Sequence, residues 1–196
     1  MKTVVMPAER VDALVEERRR LGVGNLDECW EGVWHLTDPT RRHQEIAAKL
    51  WRILSEVIED AGLGKASISI NVTDREEGWI ENHRCPDGAV ILVGNPGRWI
   101  GEDEVAFLGG PDLVVEVMST GDATHEKLPF YASLGVREVL IVEQDTGRPT
   151  IWRAGELFTE GPGELLRSEV TGLEFSRGSE GTLLVRHPAS GKTWTV

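Results

Sequence analysis

Leu113-Val114-Val115-Glu116-Val117-Met118 is an apolar run broken by a single carboxylate, and its reading decides the fold. A run of this length without polar alternation is a strand buried on both faces, which requires helices above and below the sheet. A helical stretch from about Glu126 to Leu134 follows, Gly135 ends it, and Val139-Leu140-Ile141-Val142 is a second buried strand. Strand, helix and strand in this order resemble a β-α-β crossover, so that part of the sheet should be mixed or parallel. Asp87-Gly88-Ala89-Val90-Ile91-Leu92-Val93 reads as another central strand, closed by Gly94-Asn95-Pro96-Gly97, and Ser67 to Thr73 reads as a strand before it.

A helix must cover this sheet, and the sequence supplies one. His43, Ile46, Ala47, Leu50, Ile53, Leu54, Val57 and Ile58 fall on one helical face, with Glu45, Lys49, Arg52 and Glu56 opposite, after an N-cap candidate in Thr37-Asp38-Pro39-Thr40. Upstream, Val11 to Leu21 reads as a short charged helix stopped by Gly22-Val23-Gly24-Asn25, and the stretch from Glu28 to Leu36 as a hairpin bending at Gly32. Beyond Asp145 the chain breaks into short strand-like pieces, Thr150 to Arg153 and Leu183 to Arg186, read as a structural tail. The expected class is α/β (α+β): a mixed central β-sheet flanked by helices, with an N-terminal helix and hairpin and a short β-rich C-terminal tail.

With 196 residues the chain suits one domain, read as 1–196 with a core of about 28–153. Cys29 and Cys85 lack any CxxC spacing or clustered His, which excludes a disulfide framework and a thiolate zinc site and points to a reducing cytoplasm. No secretory or membrane-spanning run is legible, so no membrane partner is expected. The net charge of −12 opposes a polyanionic ligand, although divalent ions held by carboxylates would relieve this locally.

Two acids stand where carboxylates are costly: Asp87 opens one buried strand, and Glu116 interrupts another. If those strands are neighbours, their backbones lie about 4.8 Å apart, close enough for both carboxylates to grip one hard cation such as Mg2+ or Mn2+. Asp112 shares a face with Glu116, but four residues along a strand span about 13 Å, which leaves it at most a supporting role. Helical spacing groups Lys127 with Phe130, Tyr131 and Leu134 on the inward face, where an ammonium needs an anion. That anion would be the Asp87 and Glu116 pair, and Lys127 could then hold a water and stabilise charge on phosphate. His43 lies on the apolar face of its helix and Glu45 on the polar face.

Each residue also has a plainer reading. Asp87 could be a turn former, Glu116 an edge-strand gatekeeper, Lys127 a snorkelling side chain and His43 a core histidine. Glu28 and Glu31 read as solvated hairpin residues, and Arg18-Arg19-Arg20 and Arg41-Arg42 as solvated helix ends. Cys85 reads as packing, because no activating His is identifiable by spacing.

Several blocks in order, Trp30-Glu31-Gly32-Val33, Arg42-His43-Gln44-Glu45-Ile46, Cys85-Pro86-Asp87, Pro111 to Ser119, Glu126-Lys127-Leu128, Tyr131 and Gly135-Val136-Arg137-Glu138, resemble the bacterial Uma-two family. The resemblance covers roughly Glu28 to Arg153 and implies a restriction-endonuclease-like core of the PD-(D/E)XK nuclease superfamily. It implies that Asp87 and Glu116 are the two metal-binding acids and Lys127 the lysine. His43 joins them as a catalytic candidate, with Asp112, Glu45 and Ser119 as supporting candidates. Met118 departs from the wider superfamily, which has lysine two residues after the second acid, so the lysine would have migrated to the following helix. Pro129 requires that helix to begin near Glu126. The expected activity is Mg2+- or Mn2+-dependent hydrolysis of phosphodiester bonds, DNA foremost. A homodimer would help a small acidic domain hold a duplex. The alternative is a catalytically silent interaction or regulatory module that retains the fold.

Overall fold

Thr40 starts the helix that organises the molecule: its Oγ accepts from the His43 amide at 3.2 Å, so the chain turns helical just after Pro39. The computed structural model describes residues 2–7, 12–21, 26–159 and 165–196. Val11 and the glycine-rich stop at 22–25 expected from sequence lie outside the described residues. In chain order the elements are β1 (Lys2–Pro7), α1 (Asp12–Arg20), β2 (Glu28–Trp30), β3 (Val33–Asp38) and α2 (Arg41–Leu54), the last widening into a π-helical turn at Ser55–Glu59. Next come β4 (Gly64–Ile68), β5 (Asn71–Thr73), β6 (His83–Arg84), β7 (Gly88–Leu92), β8 (Arg98–Ile100), β9 (Ala106–Leu108) and β10 (Leu113–Met118). A 3-10 turn at Thr124–Lys127 then leads into α3 (Leu128–Ser133) and β11 (Glu138–Glu143). The chain ends with β12 (Pro149–Arg153), β13 (Glu156–Thr159), β14 (Leu166–Arg167), β15 (Glu174–Arg177), β16 (Leu183–His187) and β17 (Lys192–Thr195).

The described strands form three sheets. The central one runs β13-β12-β11-β10-β7-β4, an outer one β1-β3-β2-β6-β5-β9-β8, and a C-terminal one β14-β15-β16-β17. The central sheet is mixed, as expected: β10 and β11 are parallel across the α3 crossover, while β7 is antiparallel to β10. The hairpin also forms, with Glu31 and Gly32 both at positive φ in its two-residue turn. One expected strand does not survive. Residues 67 to 73 divide between β4 of the central sheet and β5 of the outer sheet, because Ser69 takes a left-handed φ of 51° that breaks the extended run.

The period of two sorts β10 cleanly. Leu113, Val115 and Val117 face α2 in a core completed by Ile46, Leu50 and Ile53, whereas Val114 meets Tyr131 and Leu128 on the α3 side. Leu173, Phe175, Leu183 and Val185 of the tail join the α2 core, so the C-terminal sheet and the central sheet bury one continuous apolar body. One-domain folding therefore predicts that Phe175→Ala lowers the stability of the whole chain by about 3–5 kcal/mol. Urea unfolding followed by tryptophan fluorescence and by circular dichroism should show one coincident, shifted transition; two separate transitions would show the tail to be independent.

Candidate active site

Register brings the two acids together. β7 and β10 pair Val115 with Gly88, so the next step places Asp87 beside Glu116, and Asp87 Oδ2 accepts from the Val117 amide at 2.7 Å. Glu116 shares the parity of Val114 and so points to the α3 side, where it is buried. Lys127 closes the 3-10 turn before α3, and Pro129 falls in that helix's first turn, where a missing amide costs nothing. Lys127 Nζ donates to Glu116 Oε2 at 2.9 Å and Oε1 at 3.1 Å, and one helical turn on, the Tyr131 hydroxyl donates to Glu116 Oε1 at 2.6 Å. His43 reaches the same place from α2, with Nε2 3.3 Å from Asp87 Oδ2, and its Nδ1 is buried with no partner among the described residues.

Glu28 is the residue that sequence reasoning misplaced. It is not solvated: only 3% of it is exposed, and its Oε1 receives Lys127 Nζ at 2.8 Å and the Cys85 amide at 2.9 Å. Trp30 Nε1 donates to its Oε2 at 2.7 Å. A hairpin carboxylate is normally wet, but β2 is an inner strand of the outer sheet, between β3 and β6, so its side chains are covered. Glu31, in the turn itself, is solvated as expected and pairs with Arg75.

The four side chains Asp87, Glu116, Lys127 and His43 line one cavity of about 20 Å³, with Glu28, Asp122 and Thr124 also in its wall. That is room for a single water or an ion. Its charges are unevenly shared. Burial alone would raise the Glu28 carboxyl, yet the charge and hydrogen bond of Lys127, with the Cys85 and Trp30 donors, hold it below the ordinary carboxylate range. Burial pushes Glu116 up to about 7 against the pull of Lys127, and the carboxylates of Asp87 and Glu28 push the same way. For Lys127, burial is outweighed by Glu116 and Glu28, so the ammonium is held above its ordinary value. His43 is raised too, burial being overcome by its hydrogen bond and charge interaction with Asp87 and by Glu116.

Other expected residues go elsewhere. Asp112 is buried, but its Oδ2 accepts from the Leu92 amide and from Asn95 Nδ2, and Oδ1 faces Arg137, so it anchors the turn after β7. Glu45 pairs with Arg41 on the exposed face of α2. Ser119 is buried beside the site, its amide bonded to Asp122 and its hydroxyl to Gln144, and it does not line the cavity. Burial pushes the Cys85 thiol far up, which agrees with a packing role. Arg18 does not fit the solvated reading of its run: it grips Asp27 at 2.7 Å. Tyr131 stands in the sequence as a member of the inward face and of the family-like blocks, with no role assigned, and nothing local reveals that its hydroxyl would find Glu116.

Among the described residues, no three His, Cys, Asp or Glu side chains are arranged as a ready metal cage. The donor set still suits a hard ion of the magnesium type, which takes one or two carboxylates and fills its remaining positions with water and phosphate oxygen. Glu28, Asp87, Glu116 and Asp122 all line the cavity, so its carboxylates outnumber Lys127 and His43, the basic groups there.

The fold is a mixed α/β architecture, and comparison with known proteins carries this further. A solved structure titled "Crystal structure of a putative nuclease belonging to DUF820 from Anabaena variabilis ATCC 29413" superposes with a TM-score of 0.59 at 18% identity, covering 74% of this chain and 83% of that one. No curated protein matches the sequence. The family profile described as "Putative restriction endonuclease" matches residues 28–180, and the chain belongs to that family, Uma2. The match begins at Glu28 and runs past Arg153 into the C-terminal sheet.

These charges predict a pH signature in metal-free buffer. Because Glu116 is raised from 4.5 to about 7, the native state holds a proton that the unfolded chain has released, so stability falls as pH rises through that window. Glu28, shifted the opposite way, contributes stability that is complete above 4.5 and lost on acidification below it. Denaturant titrations of Glu116→Gln at several values from about pH 5 to 7 should lack the decline seen in the unaltered protein. Identical slopes in the two proteins would show that Glu116 does not titrate there.

Proposed function

We propose that this chain is a divalent-metal-dependent nuclease that hydrolyses phosphodiester bonds, with DNA as its foremost substrate. The observation that carries the reading is the convergence of Asp87 and Glu116, from adjacent antiparallel strands, with Lys127 at one small cavity. Mg2+ or Mn2+ bound there would polarise the phosphoryl oxygens and supply a water of lowered pKa. Asp87 and Glu116 would hold the ion, and an ionised carboxylate has lone pairs to spare beyond the bonds it already accepts. The Val117 amide and His43 fix the Asp87 carboxylate in place, while Tyr131 and Lys127 fix that of Glu116.

Lys127 stays an ammonium, so its part is that of a positioned cation and donor rather than a base. It would orient the attacking water and stabilise the extra negative charge that develops on phosphate. His43, whose proton affinity is raised by Asp87 and Glu116 against the effect of burial, assists by keeping Asp87 aimed at the cavity. The whole-molecule charge of −12 gives little long-range attraction for a polyanion, so binding of DNA would rest on local contacts and the metal.

Calorimetry with Mn2+ should find a site in the unaltered protein and none in Asp87→Ala, with circular dichroism confirming that the variant is folded. Hydrolysis of single-stranded, duplex and branched DNA should require Mg2+ or Mn2+, and Lys127→Met should lower kcat by about 100- to 1000-fold. No metal response and no hydrolysis in either protein would instead favour a silent interaction module that keeps the fold.

A further inference from the structure

Arg84 is a buried guanidinium that the proposed reaction does not use, and it carries no ion pair among the described residues. It is 6% exposed, and its Nη1 donates to the Cys29 and His83 carbonyls and to Asn82 Oδ1 at 3.1–3.2 Å, while Nε has no partner among the described groups. Leaving a buried donor unmet is costly, so something else must favour this placement. That something is a stack: the guanidinium carbon lies 4.6 Å from the Trp30 ring centroid and 4.2 Å from that of Phe130, and His35 stacks on Trp30 at 3.8 Å.

The two rings that sandwich Arg84 belong to different layers. Trp30 is in β2 of the outer sheet and donates its indole N–H to Glu28, whereas Phe130 is in α3, which Lys127 introduces. Glu28 in turn touches both parts of the site, receiving Lys127 at 2.8 Å and the Cys85 amide two residues before Asp87 at 2.9 Å. We propose that Glu28 is a positioning residue of the nuclease site, locked by the His35, Trp30, Arg84 and Phe130 stack so that it holds Lys127 at its working place without touching substrate. The outer sheet then acts on the reaction through one carboxylate. Glu28 keeps Lys127 from collapsing wholly onto Glu116, since its bond draws one ammonium donor away from that acid.

This inference rests on the nuclease reading, and its test separates the two. Lysine labelling by reductive methylation, read by mass spectrometry, reports the hold on Lys127 without any substrate. In Glu28→Gln, labelling of Lys127 should rise roughly tenfold over the unaltered protein, the scale of losing one charge-assisted hydrogen bond, while exposed Lys49 is unchanged. Trp30→Phe, which removes a single bond to Glu28 and keeps an aromatic ring against Arg84, should give a smaller rise and guards against a Glu28 variant that fails to fold. In the same variants KM for DNA should hold, and kcat should fall by about 10- to 100-fold. Unchanged labelling of Lys127 in both variants overturns the proposal, as does unchanged kcat with Lys127 released. Absent hydrolysis and absent Mn2+ binding by the unaltered protein would overturn the nuclease reading, whereas the labelling would still decide whether Glu28 holds Lys127.

Discussion

A primary ammonium has been taken out of water in this protein, and such a charge persists only where anions replace its solvent. Lys127 finds them on two different sheets, Glu116 in the central one and Glu28 in the outer one. Neither acid could remain buried and ionised without the lysine, and the lysine could not remain without them. The interaction therefore fixes how α3 sits on the central sheet and where the outer sheet meets both. Removing one member leaves an uncompensated charge indoors, which is far worse than removing an exposed pair.

The same constraint explains the uneven chemistry of the site. Four carboxylates, those of Glu28, Asp87, Glu116 and Asp122, line a cavity with one lysine and one imidazole, and burial together with the charges of Asp87 and Glu28 raises the proton affinity of Glu116 to about 7. Glu28 keeps its charge because the Cys85 amide and Trp30 indole also serve it. A divalent ion entering beside Asp87 would add positive charge there, so the acidity that would repel a polyanion at long range would favour a metal at short range.

Much of this was legible in the sequence where periodicity speaks alone. The continuous apolar runs of β10 and β11 and the eight-residue apolar face from His43 to Ile58 announced a covered, partly parallel sheet. Asp87, Glu116, Lys127 and His43 stood out because each breaks an apolar pattern, and all four meet at one cavity. Legibility ended where burial is set by distant partners. Glu28 sits three residues before the turn that begins at Glu31, and nothing near it tells that β6 and Lys127 cover it. The corner at Ser69 was equally silent, since no glycine or proline marks the positive φ that divides β4 from β5. Asp112 shares the parity of Glu116, but distance along the strand sets it aside as a ligand, and its oxygens go to the loop after β7.

A crystal soaked in Mn2+ and examined by anomalous scattering tests the central claim most directly. The account predicts one strong peak between Asp87 and Glu116, with an oxygen of each at about 2.1–2.2 Å and Lys127 still bonded to Glu28 nearby. A cavity that stays free of manganese at saturating concentration, or a peak ligated by other residues, would contradict it.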